Sequence, residues 1–327
     1  MRSAGRGNIA MLFFLLFFIF YSVVGVPVMM MIYGPSILVI SSAVYFVGMF
    51  VPIVVYFPLT KQKVTDVIPL APFGVLNVFY VIVISFCVLP MMYLISYLTS
   101  FVFTPMEMEF GDISLFVGLF AIGVLPSIFE ELWFRGIMFH EYSNGSVRRN
   151  ALVTGLFFGL IHMNFHQAIY AAAMGILMTY LVYYTRTILA PILMHFIVNS
   201  TAVFLLHFSQ PVDYMEALAE SPSQFLLVLG VLSLVLTPVV LICFAQLREH
   251  RKSVMPDEDC EPVSIVPIAP AAPKEPTFTW AFWVVVALAL FAMVLVEVFM
   301  RWLMPLFTPD TQSFPHIAGY VNFICFL

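Results

Sequence analysis

The stretch IAMLFFLLFFIFYSVVGVPVMMMI, residues 9–32, contains no charged side chain. At a rise of 1.5 Å per residue, a helix of this length crosses the ~30 Å hydrocarbon layer of a bilayer. Arg2 and Arg6 precede it, as basic residues precede a secretory signal. The run is longer than the ~7–15 apolar residues of a signal, however, and lacks a small-residue cleavage motif. We therefore expect an uncleaved first membrane span.

The whole chain continues this pattern. Of its 327 residues, 62% are hydrophobic and 9% are charged, and the mean hydropathy is +1.04, whereas a soluble domain carries about 25% charged residues. The candidate spans lie at 9–32, 36–57, 73–103, 113–142, 150–165, 167–185, 187–208, 223–247 and 278–303. The segment at 150–165 is short and runs into polar residues, so it can bend or re-enter. The sequence predicts an all-α polytopic bundle with an eight-helix core and a ninth C-terminal helix.

The distribution of charge predicts the orientation. With the N-terminus in the cytoplasm, the loops on that side hold nearly all of the basic residues, and the opposite loops hold acidic ones. This is the positive-inside bias, and it predicts an integral membrane protein with a cytoplasmic N-terminus. The net charge of -5 and the scattered basic residues argue against a nucleic-acid partner. The four cysteines show no CxxC spacing and so predict neither a disulfide framework nor a zinc cluster.

The fourth span contains charged residues that a bilayer does not favour. Glu130, Glu131 and Arg135 lie within six residues, and each charge at membrane depth costs at least ~2.5–3.5 kcal/mol, so it marks a functional site by default. Glu131 and Arg135 are spaced i,i+4, which favours a helical ion pair. Glu130 lies about 100° away around the helix and has no such partner. We assign Glu131 and Arg135 a supporting role and regard Glu130 as a candidate general base.

Spans five and seven add polar residues at a matching depth. His162 lies in span five, and His195 and Asn199 share one face of span seven at i,i+4 spacing. Counted from the cytoplasmic ends of their helices, these residues and Glu130 converge about 18 Å into the membrane. His166 follows His162 by four residues, but its place at the polar end of the segment favours a structural role.

A carboxylate, two imidazoles and an amide suit hydrolysis of an amide bond by activated water. Glu130 can take a proton from water that His162 positions, and His195 with Asn199 can stabilise the oxyanion. Ser127 lacks the positioned base of a serine nucleophile. Zinc held by Glu130, His162 and His195, with an open position for water, stays as an alternative, although we favour the metal-free version. Glutamate and histidine also mark proton relays, so a proton-coupled transporter and a non-catalytic membrane protein remain competing functions.

Three ordered motifs resemble those of the CPBP family, the CAAX-type prenyl endopeptidases and bacteriocin-processing enzymes. They are Glu130-Glu131-xxx-Arg135, Phe158-xxx-His162 and His195-xxx-Asn199, and the Phe-Arg-Gly run at 134–136 is also typical of that family. The resemblance covers roughly residues 110–208. It implies an eight-helix core in which Glu130 and His162 activate water while His195 and Asn199 form the oxyanion hole.

The resemblance places the catalytic core and implies a substrate class, whereas the apolar runs and the composition divide the rest of the chain. The catalytic core would occupy 111–210, between N-terminal helices at 1–110 and an eighth helix at 211–247. A charged and Pro-rich linker at 248–276 would lead to the last helix and tail at 277–327. The substrate would be a membrane-associated peptide or protein of the CAAX type or the bacteriocin or pheromone type. Because many similar family members are prokaryotic, we expect a prokaryotic cell membrane. A non-catalytic role in bacteriocin immunity is the family-based alternative.

Overall fold

The computed structural model describes residues 3–34, 36–104, 114–208, 222–254 and 276–303. Within these ranges the chain forms nine helices of at least 14 residues, a four-residue helix at Val64–Val67 and no sheet, with a single bridge between Leu70 and Thr187. The helices are α1 Ala4–Tyr33, α2 Leu38–Thr60, α3 Val75–Ser100, α4 Leu115–Tyr142, α5 Val147–Leu160, α6 Phe165–Thr185, α7 Leu189–Phe208, α8 Pro222–Val254 and α9 Trp280–Trp302. The predicted all-α polytopic bundle is confirmed, and each predicted span corresponds to one helix.

Seven of these helices are long and apolar enough to cross a membrane, namely all except α5 and α7. Helices are the expected outcome because, in lipid, each backbone N–H and C=O must find its hydrogen bond within the chain. Helix α5 has 14 residues and therefore rises only about 21 Å. Its C-terminus is followed by a tight turn, and α6 returns along it, which accounts for the short fifth segment in the sequence.

Glycines allow α5 and α6 to pack closely. A side chain at Gly159 would lie 2.4 Å from the Ala168 carbonyl oxygen, and one at Gly155 would lie 2.9 Å from the Ala172 carbonyl oxygen. Gly155 and Gly159 are spaced as in the small-residue motifs that bring membrane helices together. The close approach places the end of α5 beside α4.

The C-terminal helix α9 is attached to the bundle at both ends. Buried Asn8 of α1 donates to the Thr277 carbonyl oxygen at 2.8 Å, and the Thr104 hydroxyl donates to Glu297 at 2.9 Å. Helix α8 extends to Val254, so the beginning of the predicted 248–276 linker is helical. Residues 255–275 lie outside the described part of the chain, as do the acidic loops within 105–113 and 209–221.

Candidate active site

Helix α4 provides the charged residues of the site and is distorted on both sides of Glu130. Turns of π-helical hydrogen bonding occur at Leu119–Val124 and Leu132–Met138, and such turns are frequent at functional sites. Arg135 Nη1 donates to Glu131 Oε1 at 2.9 Å, and both side chains are fully buried. The structure thus contains the ion pair that the i,i+4 spacing favours.

Arg135 also joins α4 to the α5–α6 hairpin. Its Nη2 donates to the Gly175 carbonyl oxygen at 2.9 Å, and its guanidinium lies 4.4 Å from the centre of the Phe158 ring. A methyl group at position 175 would lie 3.1 Å from Arg135 Nη2 and 2.9 Å from the Gly155 Cα. The absence of a side chain at Gly175 therefore leaves room for the guanidinium.

His195 of α7 contacts both glutamates. Its Nδ1 lies 2.9 Å from Glu131 Oε1, and its Nε2 lies 4.0 Å from Glu130 Oε2. Glu131 Oε1 thus faces two donors, Arg135 and His195, which is an arrangement suited to an ionised carboxylate. The contact to Glu131 orients the imidazole, with Nε2 directed towards Glu130.

Glu130 has one bonded oxygen and one unbonded oxygen. The Tyr45 hydroxyl of α2 donates to Oε1 at 3.1 Å. The other oxygen, Oε2, is buried and has no hydrogen-bond partner among the described residues. Glu131 Oε2 is in the same state. Glu131 is nevertheless held by Arg135 and His195 Nδ1 through its other oxygen, whereas Glu130 Oε2 faces His195 Nε2.

His162 lies in the turn that follows α5. Its Nδ1 is 2.7 Å from the Phe158 carbonyl oxygen. The next residue, Met163, has a φ of 49°, a left-handed conformation that is uncommon outside glycine, and the Asn164 side chain then caps α6 by accepting from Gln167 N. The ring of Phe158 contacts the rings of His162 and His195 edge-on, at centroid distances of 5.1 Å and 5.8 Å. Phe158 is therefore the common neighbour of both imidazoles.

Asn199 lies one helical turn beyond His195. Its Nδ2 donates to the Ile122 carbonyl oxygen at 3.0 Å. Ile122 belongs to the first π-helical turn of α4, where the altered hydrogen-bond pattern leaves carbonyl groups accessible to side chains. Because an amide nitrogen carries two hydrogens, this contact uses one and leaves the second for another acceptor.

The structure brings five of the six candidate residues together through direct contacts or the shared neighbour Phe158. The sixth, Asn199, contacts the Ile122 carbonyl oxygen instead. It places two others elsewhere: His166 Nε2 contacts Ser96, and the Ser127 hydroxyl donates to the Val124 carbonyl oxygen of its own helix. Sequence reasoning does not find Tyr45, because a tyrosine in an apolar span carries no distinguishing signal.

The residues proposed as zinc ligands do not form a metal site here. Among the described residues, no three His, Cys, Asp or Glu side chains are grouped so that they could hold a metal ion. The donor set Glu130, His162 and His195 therefore does not fit zinc in this arrangement.

A second buried carboxylate, Glu141, lies outside this site, in the last turn of α4. His140 and Glu141 lie at the end of α4, where a polar side chain can face water, but both are buried, and Glu141 is fully so. Arg6 forms an ion pair with Glu141 at 2.9 Å, and Tyr56 and Gln62 donate to the same carboxylate. Glu141 thus joins α1, α2 and the following loop to α4.

The fold and these contacts define a membrane-embedded helical protein with a buried glutamate–histidine centre. The family model described as Type II CAAX prenyl endopeptidase Rce1-like matches residues 112–201. The match confirms the resemblance to the CPBP family and includes every one of the six candidate residues, while Tyr45 lies outside it. Because the matched family is a protease family, the match supports an intramembrane protease. No curated protein and no solved structure matches the chain.

Proposed function

We propose that this protein is an intramembrane endopeptidase that hydrolyses a peptide bond with water activated by Glu130 and His162. The observation that carries the proposal is the buried Oε2 of Glu130, which has no partner among the described residues and lies 4.0 Å from His195 Nε2. This separation is too long for a direct hydrogen bond, so Oε2 is left as an acceptor for a water. A water held there would be within reach of a general base.

The two imidazoles are suited to opposite roles. The Phe158 carbonyl can only accept, so His162 Nδ1 carries the hydrogen. In the neutral ring, Nε2 is then an acceptor that can orient the attacking water. His195 Nδ1 faces the Glu131 carboxylate, so it too carries a hydrogen. In the proposed reaction Nε2 carries a second hydrogen, which makes it a donor.

The reaction follows from these roles. Glu130 takes a proton as the water oxygen bonds to the substrate carbonyl carbon. The resulting oxyanion accepts hydrogen bonds from His195 Nε2 and the second hydrogen of Asn199 Nδ2. The tetrahedral intermediate then expels the amine, which receives the proton from Glu130.

The substrate class follows from the family match and the membrane location. We include CAAX-type proteins and bacteriocin or pheromone precursors in the proposal, since each presents a peptide at a membrane. A cytoplasmic N-terminus and a prokaryotic cell membrane are parts of the same proposal.

The test is cleavage of fluorogenic membrane peptides by purified protein in proteoliposomes. We expect Glu130→Gln, His162→Ala and His195→Ala each to lower kcat at least about 100-fold. Ser127→Ala is the matched control on α4 and should retain full activity, because its hydroxyl bonds to its own helix. Undiminished cleavage by Glu130→Gln would refute the proposal. A proton flux that requires Glu130 while every peptide remains intact would identify a transporter.

A further inference from the structure

A residue outside the region matched by the family model contacts the proposed general base. Tyr45 lies on α2, is only 2% exposed, and donates its hydroxyl to Glu130 Oε1 at 3.1 Å. Among the described residues, this is the one hydrogen bond that the Glu130 side chain makes. The orientation of the carboxylate therefore depends on the hydroxyl of α2.

The packing around Tyr45 fixes where this hydroxyl lies. Phe129, the residue before Glu130, stacks on Tyr45 at a ring-centre distance of 6.3 Å, and Phe46 and Phe50 pack edge-on against Phe129 at 5.3 Å and 5.8 Å. Tyr45 also lies in a π-helical turn, Val44–Met49, a distortion often found at functional sites. The aromatic contacts hold the backbone of α2 against that of α4 at the level of Glu130.

We infer that Tyr45 is a positioning residue for hydrolysis, an inference that rests on the proposed role of Glu130 as general base. The hydroxyl binds Oε1 and so fixes the rotation of the carboxyl group, which leaves Oε2 directed towards His195 Nε2 and the attacking water. Without the hydroxyl, the carboxyl group can rotate and present either oxygen. The water would then be held in a productive geometry for a smaller fraction of the time, which lowers kcat more than it raises KM.

The chain contains a matched control for this inference. Tyr56, also on α2 and buried, donates its hydroxyl to Glu141 on α4. Both pairs link a tyrosine of α2 to a glutamate of α4, but Glu141 is remote from the proposed site. Removing the Tyr56 hydroxyl therefore also removes a hydrogen bond between α2 and α4, but without affecting the general base.

The experiment compares Tyr45→Phe, Tyr45→Leu and Tyr56→Phe with the unmodified protein in the proteoliposome assay, together with thermal unfolding. We expect Tyr45→Phe to lower kcat about 10- to 100-fold, the loss typical of one hydrogen bond to a charged group, with KM changed less than about twofold. Tyr45→Leu should lower kcat at least as much, and Tyr56→Phe should retain full kcat.

Two results would overturn the inference. One is full kcat in Tyr45→Phe with a loss in Tyr45→Leu, which would show that only the ring matters. The other is an equal kcat loss in Tyr56→Phe. Glu130→Gln separates this failure from a failure of the proposed function. If Glu130→Gln is active, Glu130 is not the general base. If Glu130→Gln is inactive and Tyr45→Phe is fully active, only the role of Tyr45 is rejected.

Discussion

The guanidinium of Arg135 donates to the carbonyl oxygen of Gly175 at 2.9 Å, which makes a glycine of α6 part of the support for α4. The same guanidinium binds Glu131, and Glu131 in turn contacts His195. A chain of contacts therefore runs from the α5–α6 hairpin through α4 to α7. The positions of both site glutamates depend on helices that are far apart in sequence.

Gly175→Ala is expected to disturb the site without removing any polar group. The added methyl would lie 2.9 Å from the Gly155 Cα and 3.1 Å from Arg135 Nη2, and overpacking of this kind typically costs about 1–3 kcal/mol. We expect a lower unfolding temperature and reduced kcat. Gly230→Ala on α8 is the control, since nothing lies within 4 Å of a side chain there. Equal unfolding temperatures and equal kcat values in the two variants would contradict the close-packing argument.

Glu131→Gln is expected to destabilise the protein, because it leaves the Arg135 charge buried without a carboxylate. Breaking a buried ion pair from one side costs about 3–5 kcal/mol. Replacing both partners, as Glu131→Leu with Arg135→Met, should recover most of the stability. Even with its stability recovered, the double variant should not cleave the peptide, because His195 Nδ1 has lost its acceptor. Thermal unfolding and peptide cleavage check the two effects separately, and an active double variant would show that Glu131 is dispensable.

Asn199→Ala is expected to lower kcat by about 100- to 1000-fold, the loss typical of one oxyanion-hole donor, with little change in KM. The control is Thr201→Ala, two residues along α7, whose hydroxyl donates to the Ile197 carbonyl oxygen of its own helix. Initial rates over a range of peptide concentrations separate kcat from KM. A rise in KM with unchanged kcat would assign Asn199 to substrate binding instead.

Treatment with a chelator is expected to leave peptide cleavage within about twofold of the untreated rate, since metal-dependent activity falls when the ion is removed. The reason is geometric, because the described residues provide no group of three metal-ligating side chains. Metal content and activity should be measured on the same sample. Activity that is lost with the chelator and restored by zinc would show that Glu130, His162 and His195 rearrange to hold the ion.

The sequence predicts the fold well because lipid imposes a simple rule. Uncharged runs long enough to cross a bilayer become helices, and the nine segments are found as nine helices within the described residues. It also predicts the ion pair of Glu131 and Arg135, because i,i+4 contacts are local. The sequence does not decide whether the fifth segment crosses, bends or re-enters. The turn after α5 depends on Met163 in a left-handed conformation, which no pattern of apolar residues reveals.

Contacts between distant helices are the part that the sequence does not predict. The Glu131–His195 contact spans 64 residues and the Tyr45–Glu130 contact spans 85, and neither follows from helical periodicity. Glu141 illustrates the same limit. A carboxylate at a helix end needs no partner if it faces water, and only the placement of α1 and α2 shows that it is buried with Arg6 and Tyr56.

The two tyrosine–glutamate hydrogen bonds between α2 and α4 share one sequence offset, 85 residues. They join parallel helices at two levels about 16 Å apart along the axis. A shear of one helix past the other by a single turn, about 5.4 Å, would break both bonds at once. Glu141 would keep its ion pair with Arg6 of α1, whereas Glu130 would lose the hydrogen bond from Tyr45. The axial register of α2 and α4 is therefore fixed at two points, and an opening of the bundle that keeps both bonds moves these two helices together.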